Sequence, residues 1–497
     1  MDTVLGIDLG TQSMKLVCYE FASKKIVANV SSPLDVHRED DGTAEQSATD
    51  WLTALKDCCD QIPQGIKTSI QAIGVSGQQH GFVPLDAKGK VLAPVKLWCD
   101  TSTQQEVNDI TEACGGLNGA IKLTGNPIVT GYTSPKVLWL KNNHPTLYER
   151  MDSILLPHDY LNFILTGVIS MECGDASGTG FLDISARSWS REMIGAVDAE
   201  RDIGKCLPTI VEHDQFIGKT SQDFSQKYGM PSGIPVSAGG GDNMMGAVGT
   251  GNVSPGKLTM SLGSSGTLYA YSDKPIIDPT GTIAAFCSST GGWLPLLCTM
   301  NCTIGTELIR DLLDVSIEKF DSLISPISAG CNGLITLPYF NGERTPNLPN
   351  GKGCIVGLSP DNCSPGHLMR STVEGATYAL KYGVDELTAL GIGADEIILT
   401  GGGSNSAEWR QIVADICQLP VSILDKEEGA SFGAALQSLW VLQRQSNPKL
   451  SISDLTNEHL GRSNELSVKP NIKNTRVYER GFEQYQKTVN QISPLFQ

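Results

Sequence analysis

Short apolar runs that end in glycine recur along the chain and predict an α/β protein. Val4, Leu5 and Ile7 run into Asp8-Leu9-Gly10-Thr11-Gln12-Ser13, and Lys15-Leu16-Val17-Cys18-Tyr19 leads away, the pattern of strand, tight turn, strand. The pattern returns much later. Leu258-Thr259-Met260 enters Ser261-Leu262-Gly263-Ser264-Ser265-Gly266-Thr267, and Leu268-Tyr269-Ala270-Tyr271 leaves. Two Leu-Gly hairpins, one near the start of each half, point to an internal duplication, and two copies are too few for a solenoid. Between them residues 72–75 and 235–238 read as strands, and residues 134–140 and 159–165 as helices. Leu368, Val373, Ala376, Leu380 and Val384 fall near helical spacing and predict a long amphipathic helix over 365–390. A buried strand over 396–400 follows, then a glycine turn, then a helix carrying Trp409, Ile412, Val413 and Ile416. The glycine-rich stretch 246–256 marks the boundary between domains 1–248 and 249–497, with the cleft between them as the expected site.

Composition narrows the class. A chain of 497 residues exceeds what one core supports, and 40% hydrophobic with 18% charged residues is ordinary for a globular enzyme. Thirty-seven Lys and Arg against 54 Asp and Glu give a net charge of −17, which argues against nucleic acid or an anionic membrane as partner. An anionic ligand then needs a locally built site of backbone N–H groups, helix N-termini and a metal ion. No signal peptide is readable in MDTVLGIDLG, and no apolar run approaches the roughly 20 residues of a membrane span. The 14 Cys form neither CxxC pairs nor Cys/His clusters, so they are expected to be reduced and mostly buried. The expectation is a cytoplasmic protein.

Four glycine-rich segments could carry the chemistry. In the first hairpin, Asp8 ends a strand beside a turn formed by Gly10, Thr11, Gln12 and Ser13, with Lys15 following. Such a turn cradles phosphate with its N–H groups, and the carboxylate can hold Mg²⁺ through water. A plain turn is the simpler reading of this segment alone. The second copy, Gly263-Ser264-Ser265-Gly266-Thr267, favours a pair of phosphate clamps. In Gly239-Gly240-Gly241-Asp242-Asn243 the glycines allow close approach of a ligand, and Asp242 at a helix start could take a proton from an attacking hydroxyl. The plain alternative is an N-cap Asp. Gly401-Gly402-Gly403-Ser404-Asn405 lies between strand and helix, where a nucleoside can pack on backbone. Gln79 and His80 in Ser76-Gly77-Gln78-Gln79-His80-Gly81 suit hydrogen bonding to several hydroxyls, with a structural His in a turn as the plain alternative. Trp98 and Asp100 could add a wall and a carboxylate, with a buried Trp and an N-capping Asp as the plain alternative. Gly251-Asn252-Val253-Ser254-Pro255-Gly256-Lys257 matches GxxxxGK but is no P-loop, because Leu258 stands where Ser or Thr should bind Mg²⁺ and a strand follows.

From Leu5 to Leu442 the chain resembles the FGGY carbohydrate kinases, and among them the xylulokinases. Gly131-Tyr132-Thr133-Ser134-Pro135-Lys136-Val137-Leu138-Trp139-Leu140 is similar to the family's first signature. Gly353-Cys354-Ile355-Val356-Gly357-Leu358 with His367-Leu368 and Ser371-Thr372-Val373-Glu374 is similar to the second. The resemblance implies two ribonuclease H-like, actin-like ATPase domains closing over ATP, Mg²⁺ and a sugar, with a homodimer possible in such kinases. It implies Asp242 as catalytic base, Asp8 and Asp242 at Mg²⁺, and the loops at Thr11 and Ser264 at the phosphates. Gly401 to Asn405 would take adenosine, and Gln79, His80, Trp98, Asp100, Asp242 and Asn243 the sugar. The expected reaction is phosphorylation of D-xylulose, with another ketose or polyol, or a switch ATPase, as alternatives. Many members carry Arg where this chain has Ser102.

Overall fold

The computed structural model describes residues 2–425 and 429–496. The chain forms two compact units, and it passes between them more than once, where the sequence reading draws one boundary after residue 248. The first unit comprises Met1–Val253, Ser272–Leu294 and Glu428–Leu460; the second comprises Ser254–Tyr271, Pro295–Glu427 and Gly461–Gln497.

In the first unit, strand Thr3–Leu9 pairs antiparallel with Ser13–Glu20, which pairs antiparallel with Lys25–Pro33. On its other side Thr3–Leu9 runs parallel to Ile70–Gly77, and Pro235–Ser237 and Gly240–Gly241 in turn run parallel to that strand. Residues Thr3–Leu9 are buried on both faces, which is why they read as a nearly continuous apolar run. Leu5, Ile7 and Leu9 join one core cluster with Trp51, Leu55 and Cys58 of helix Ala48–Gln61 and Leu161 and Leu165 of helix Pro157–Thr166.

Gly6, one residue out of phase, points to the opposite face, and its register partner is Gly74. Helix Gly429–Arg444 lies there, so near that a Cβ at Gly6 would overlap the Ser431 carbonyl and one at Gly74 the Ala434 carbonyl. The same helix packs on helix Asp242–Gly249, where a Cβ at Gly433 would overlap the Met245 carbonyl.

The second unit repeats this plan. Gly256–Leu262 pairs antiparallel with Gly266–Ala270, which pairs antiparallel with Leu296–Thr299. Gly256–Leu262 also runs parallel to Ala394–Thr400, itself parallel to Val421–Leu424. The predicted long helix spans Pro365–Ala389, with the Ser364 side chain accepting the His367 N–H at its start. No helix among the described residues is long and apolar enough to cross a membrane.

Gly433→Ala is expected to lower the stability of the first unit by on the order of 3 kcal/mol, since backbone must move to admit one methyl group. Gly195→Ala in helix Arg191–Val197, where a new Cβ meets nothing within 4 Å, is expected to be neutral or stabilising. Thermal unfolding of the two variants beside the parent checks both outcomes.

Candidate active site

In the first unit the acidic residues converge on the end of one strand. Asp8 lies opposite Ser76 in the parallel ladder, while Gly240 and Gly241 pair with Ser76 and Gly77 from the other side. Asp8 and Asp242 therefore flank the carboxyl end of Ile70–Gly77, the place where open α/β sheets bind ligands. The Asp8 carboxyl is raised by burial, against the lowering influence of Ser76 and Lys15, and its Oδ1 has no hydrogen-bond partner. Asp242 is not the N-cap, which is Gly241; it is the first helical residue. Burial, with the Asp8 charge second, pushes its carboxyl up to about 7.

The glycine triplet lets these elements close. Gly239 has φ +72°, and a Cβ there would overlap the Val75 carbonyl oxygen. A Cβ on Gly241 would come within 2.7 Å of Gln79 Cγ and 2.9 Å of Asp175 Oδ1. Gln79 is thus pressed against the turn that carries Asp242. Asn243 Nδ2 donates to Gln79 Oε1 (2.9 Å) and to Asp242 Oδ1 (3.2 Å), and the Asn243 N–H also donates to Asp242 Oδ1 (2.8 Å). His80 follows directly on Gln79.

The first glycine turn is tied to this group. Thr11 Oγ1 donates to Gln78 Oε1 (3.0 Å) and accepts from Trp98 Nε1 (2.9 Å), which places half-buried Trp98 against the turn. Gly10 N donates to the Ser13 carbonyl at 3.0 Å, closing the turn over Thr11 and Gln12, and Lys15 lies opposite Asp8 in the hairpin register. Asp100 is a correction to the sequence reading. Its carboxylate is fully buried, with Oδ2 accepting from the Ala44 N–H (2.9 Å) and Lys96 Nζ (3.2 Å), and Oδ1 from the Ser102 N–H (3.0 Å) and hydroxyl (2.7 Å). With both oxygens engaged and the side chain buried, it organises its own loop.

In the second unit the other glycine turn, Gly263 to Ser265 with Gly266 and Thr267 opening the next strand, anchors a helix. The carbonyls of Gly263 and Ser264 accept the N–H groups of Thr303 (2.9 Å) and Cys302 (3.0 Å), at the start of helix Thr303–Leu312. Thr303 and Thr306 then line a pocket of about 390 Å³ together with Ile317, Phe320, Gly402, Gly403 and Asn405. Gly401 and Ser404 shape the turn instead: the Ser404 N–H donates to the Gly401 carbonyl (2.9 Å), and Ser404 is buried. Gly403 packs on the Trp409 ring, and Trp409 stacks with Phe320 at 6.3 Å between centroids.

The FGGY family of carbohydrate kinases matches this chain twice, with its N-terminal domain over residues 3–249 and its C-terminal domain over 258–442. A xylulose kinase of Haemophilus influenzae is 38% identical over 98% of this chain and 99% of its own length. A solved structure of a xyloylose kinase from Brucella ovis superposes with a TM-score of 0.89 at 27% identity, covering 99% of this chain and 100% of that one. A gluconate kinase from Lactobacillus acidophilus superposes with a TM-score of 0.90 at 22% identity, covering 100% and 99%, and shares the fold.

Beside Gly241 sits a buried ionic cluster that sequence reasoning missed. Glu172 accepts the N–H groups of Gly174 (2.7 Å) and Asp175 (2.6 Å), Asp175 Oδ2 meets His158 Nδ1 at 2.5 Å, and His158 Nε2 meets Asp159 Oδ1 at 3.2 Å. Burial by itself disfavours a charged imidazole, but Asp159, Asp175 and Glu172 outweigh it and hold His158 up at about 9. Burial likewise raises the Asp159 carboxyl. Both shifts have the same sign for stability: the folded state holds protons that the unfolded chain gives up sooner. The His158 contribution is complete below about 6.5, the ordinary His value, and is lost as pH rises through about 9. Thermal midpoints are therefore expected to fall as pH rises across this window, with a shallower slope in His158→Gln; differential scanning fluorimetry against pH reads this.

Proposed function

This chain belongs to the FGGY family of carbohydrate kinases, and on that footing we propose that it transfers the γ-phosphoryl group of ATP to O5 of D-xylulose in its open keto form. The observation that carries this reading is the meeting of Asp8 and Asp242 at the end of Ile70–Gly77, which runs straight on into Gln78-Gln79-His80. Carboxylates for a base and a cation thus lie beside amides suited to a polyhydroxy ligand. The full-length relative from Haemophilus influenzae, a xylulose kinase, supports the ketose assignment.

Asp242 acts as general base. A carboxyl lifted to about 7 is a stronger proton acceptor than an ordinary one, and it is still substantially ionised near neutrality. Asn243 fixes the rotamer of Asp242 and orients Gln79 through one amide, so the base and a sugar-binding side chain are set together. His80, and Trp98 from its place against Thr11, complete the sugar-facing set.

Asp8 and Asp242 would hold Mg²⁺, an ion that takes one or two carboxylates and completes its shell with water and phosphate oxygens. No group of three or more His, Cys, Asp or Glu able to hold a metal exists among the described residues, so a two-carboxylate site shared with nucleotide is the arrangement that fits. Asp8 Oδ1, buried without a donor, is the kind of acceptor that a cation or its water satisfies. Bound there, the ion supplies positive charge to the phosphate oxygens. The N–H groups of the turns at Thr11 and Ser264 would bind phosphate, and the pocket of Phe320, Gly402, Gly403 and Asn405 the adenosine. Fourteen free thiols suit a reducing compartment such as the cytoplasm.

Coupled measurement of ADP release across D-xylulose, D-ribulose, L-ribulose, glycerol and sedoheptulose is expected to show the highest kcat/KM for D-xylulose. A preference for another of these would replace the sugar and keep the kinase. Asp242→Asn, isosteric but unable to accept the proton, is expected to lower kcat by about two orders of magnitude or more. Gly402 lines the pocket, and a Cβ there meets nothing within 4 Å, so Gly402→Val adds its side chain without disturbing the fold. It is expected to raise the KM for ATP about tenfold, leaving the ketose KM and the thermal midpoint unchanged.

A further inference from the structure

The Gln79-His80-Gly81 turn is held in a conformation that its own residues disfavour. His80 has φ +66°, the left-handed region that a side chain makes unfavourable. Its ring packs against Tyr132 at 5.1 Å between centroids and stacks on Phe286 at 5.9 Å with an interplanar angle of 19°. Gly178 closes another side, since a Cβ there would overlap the imidazole. The ring is thus placed by its surroundings, and the backbone that carries it needs a restraint of its own.

Lys136 supplies one. It belongs to the segment Gly131 to Leu140, to which the reaction so far assigns no role, and its side chain is fully buried. Among the described residues no carboxylate forms an ion pair with it. Instead Nζ donates to the His80 carbonyl (2.8 Å) and to the Gly131 carbonyl (2.7 Å), and Thr133 Oγ1 donates to the same His80 oxygen (3.2 Å). Burial pushes the ammonium down to about 7, although the Asp100 charge opposes it. Lys136 also lies near the N-terminal end of helix Thr133–Asn143, where the helix dipole disfavours a cation. Neither an ion pair nor the helix offsets the cost of this buried charge. What the charge does is grip the carbonyl of the strained residue.

We propose that Lys136 is a positioning residue for sugar recognition: with Thr133 it clamps the His80 carbonyl and so maintains the left-handed turn that presents Gln79 and His80 to the ketose. The proposal rests on the reading above in which these two side chains face the sugar.

The test is steady-state kinetics on Lys136→Met, Thr133→Val, His80→Ala and the double variant Lys136→Met/His80→Ala, each with its thermal midpoint. Lys136→Met is expected to raise the ketose KM about tenfold, the loss of a charged hydrogen bond, with the KM for ATP unchanged. Because part of the Lys136 effect passes through the His80 ring, the double variant is expected to lose less than the sum of the two single losses. Thr133→Val, which leaves the ammonium in place, is expected to show the same selectivity at smaller size, and it carries the test if Lys136→Met does not fold. Equal losses on ketose and ATP, no loss at all, or additive losses in the double variant would overturn the clamp. An unchanged ketose KM in His80→Ala would instead overturn the sugar-facing reading, and the clamp with it.

Discussion

Backbone lies directly against backbone where helix Gly429–Arg444 crosses strands Thr3–Leu9 and Ile70–Gly77, and the site of the first unit depends on that contact. Gly6 and Gly74 stand side by side in the ladder, so the sheet offers the helix a face without side chains. The helix takes the same close approach to Asp242–Gly249 through Gly433. Three elements that carry Asp8, the Gln79-His80 turn and Asp242 are in this way referenced to one rigid rod. Their mutual spacing is a packing property, and interiors packed to this density do not deform by small amounts.

The two units are built differently at their candidate sites. The first concentrates ionisable groups: Asp8 and Asp242 at a strand end, and His158, Asp159, Glu172 and Asp175 in a buried network that reaches Gly241. The second relies on turns. The tie from Gly263 and Ser264 to the start of helix Thr303–Leu312 joins a phosphate-sized turn to the pocket above Phe320 and Trp409. In a chain of net charge −17, the proposed binding by backbone N–H groups and a metal ion would avoid any need for a basic surface. The fold itself does not choose the sugar, as the gluconate kinase neighbour at a TM-score of 0.90 makes plain. On the proposed reading, choice is left to short segments such as the Gln79-His80 turn.

Much of this was legible in advance because it is local. Both hairpins, the long helix at Pro365–Ala389 and the strand-turn-helix at Gly401 follow from apolar periodicity and glycine punctuation. Asp242 stood out because three glycines before an acidic residue have few purely structural uses. Asp100 was ambiguous, since an Asp ahead of Thr-Ser looks the same whether it faces a ligand or caps its own loop; the four donors around it favour the loop. The His158 cluster was invisible for another reason. His158, Glu172 and Asp175 come from separate short elements, and no spacing rule connects residues that meet only after folding. The return of residues 428–460 to the first unit is likewise a long-range pairing without a local mark.

That return has a bearing on how the protein is made. Synthesis proceeds from the N-terminus, and strands Thr3–Leu9 and Ile70–Gly77 leave the ribosome long before residue 429 is translated. Until then the glycine face of the sheet lacks the helix that covers it. The nascent chain must therefore carry an unfinished first unit through most of its elongation, a window in which a chaperone that shields exposed strands would find its client.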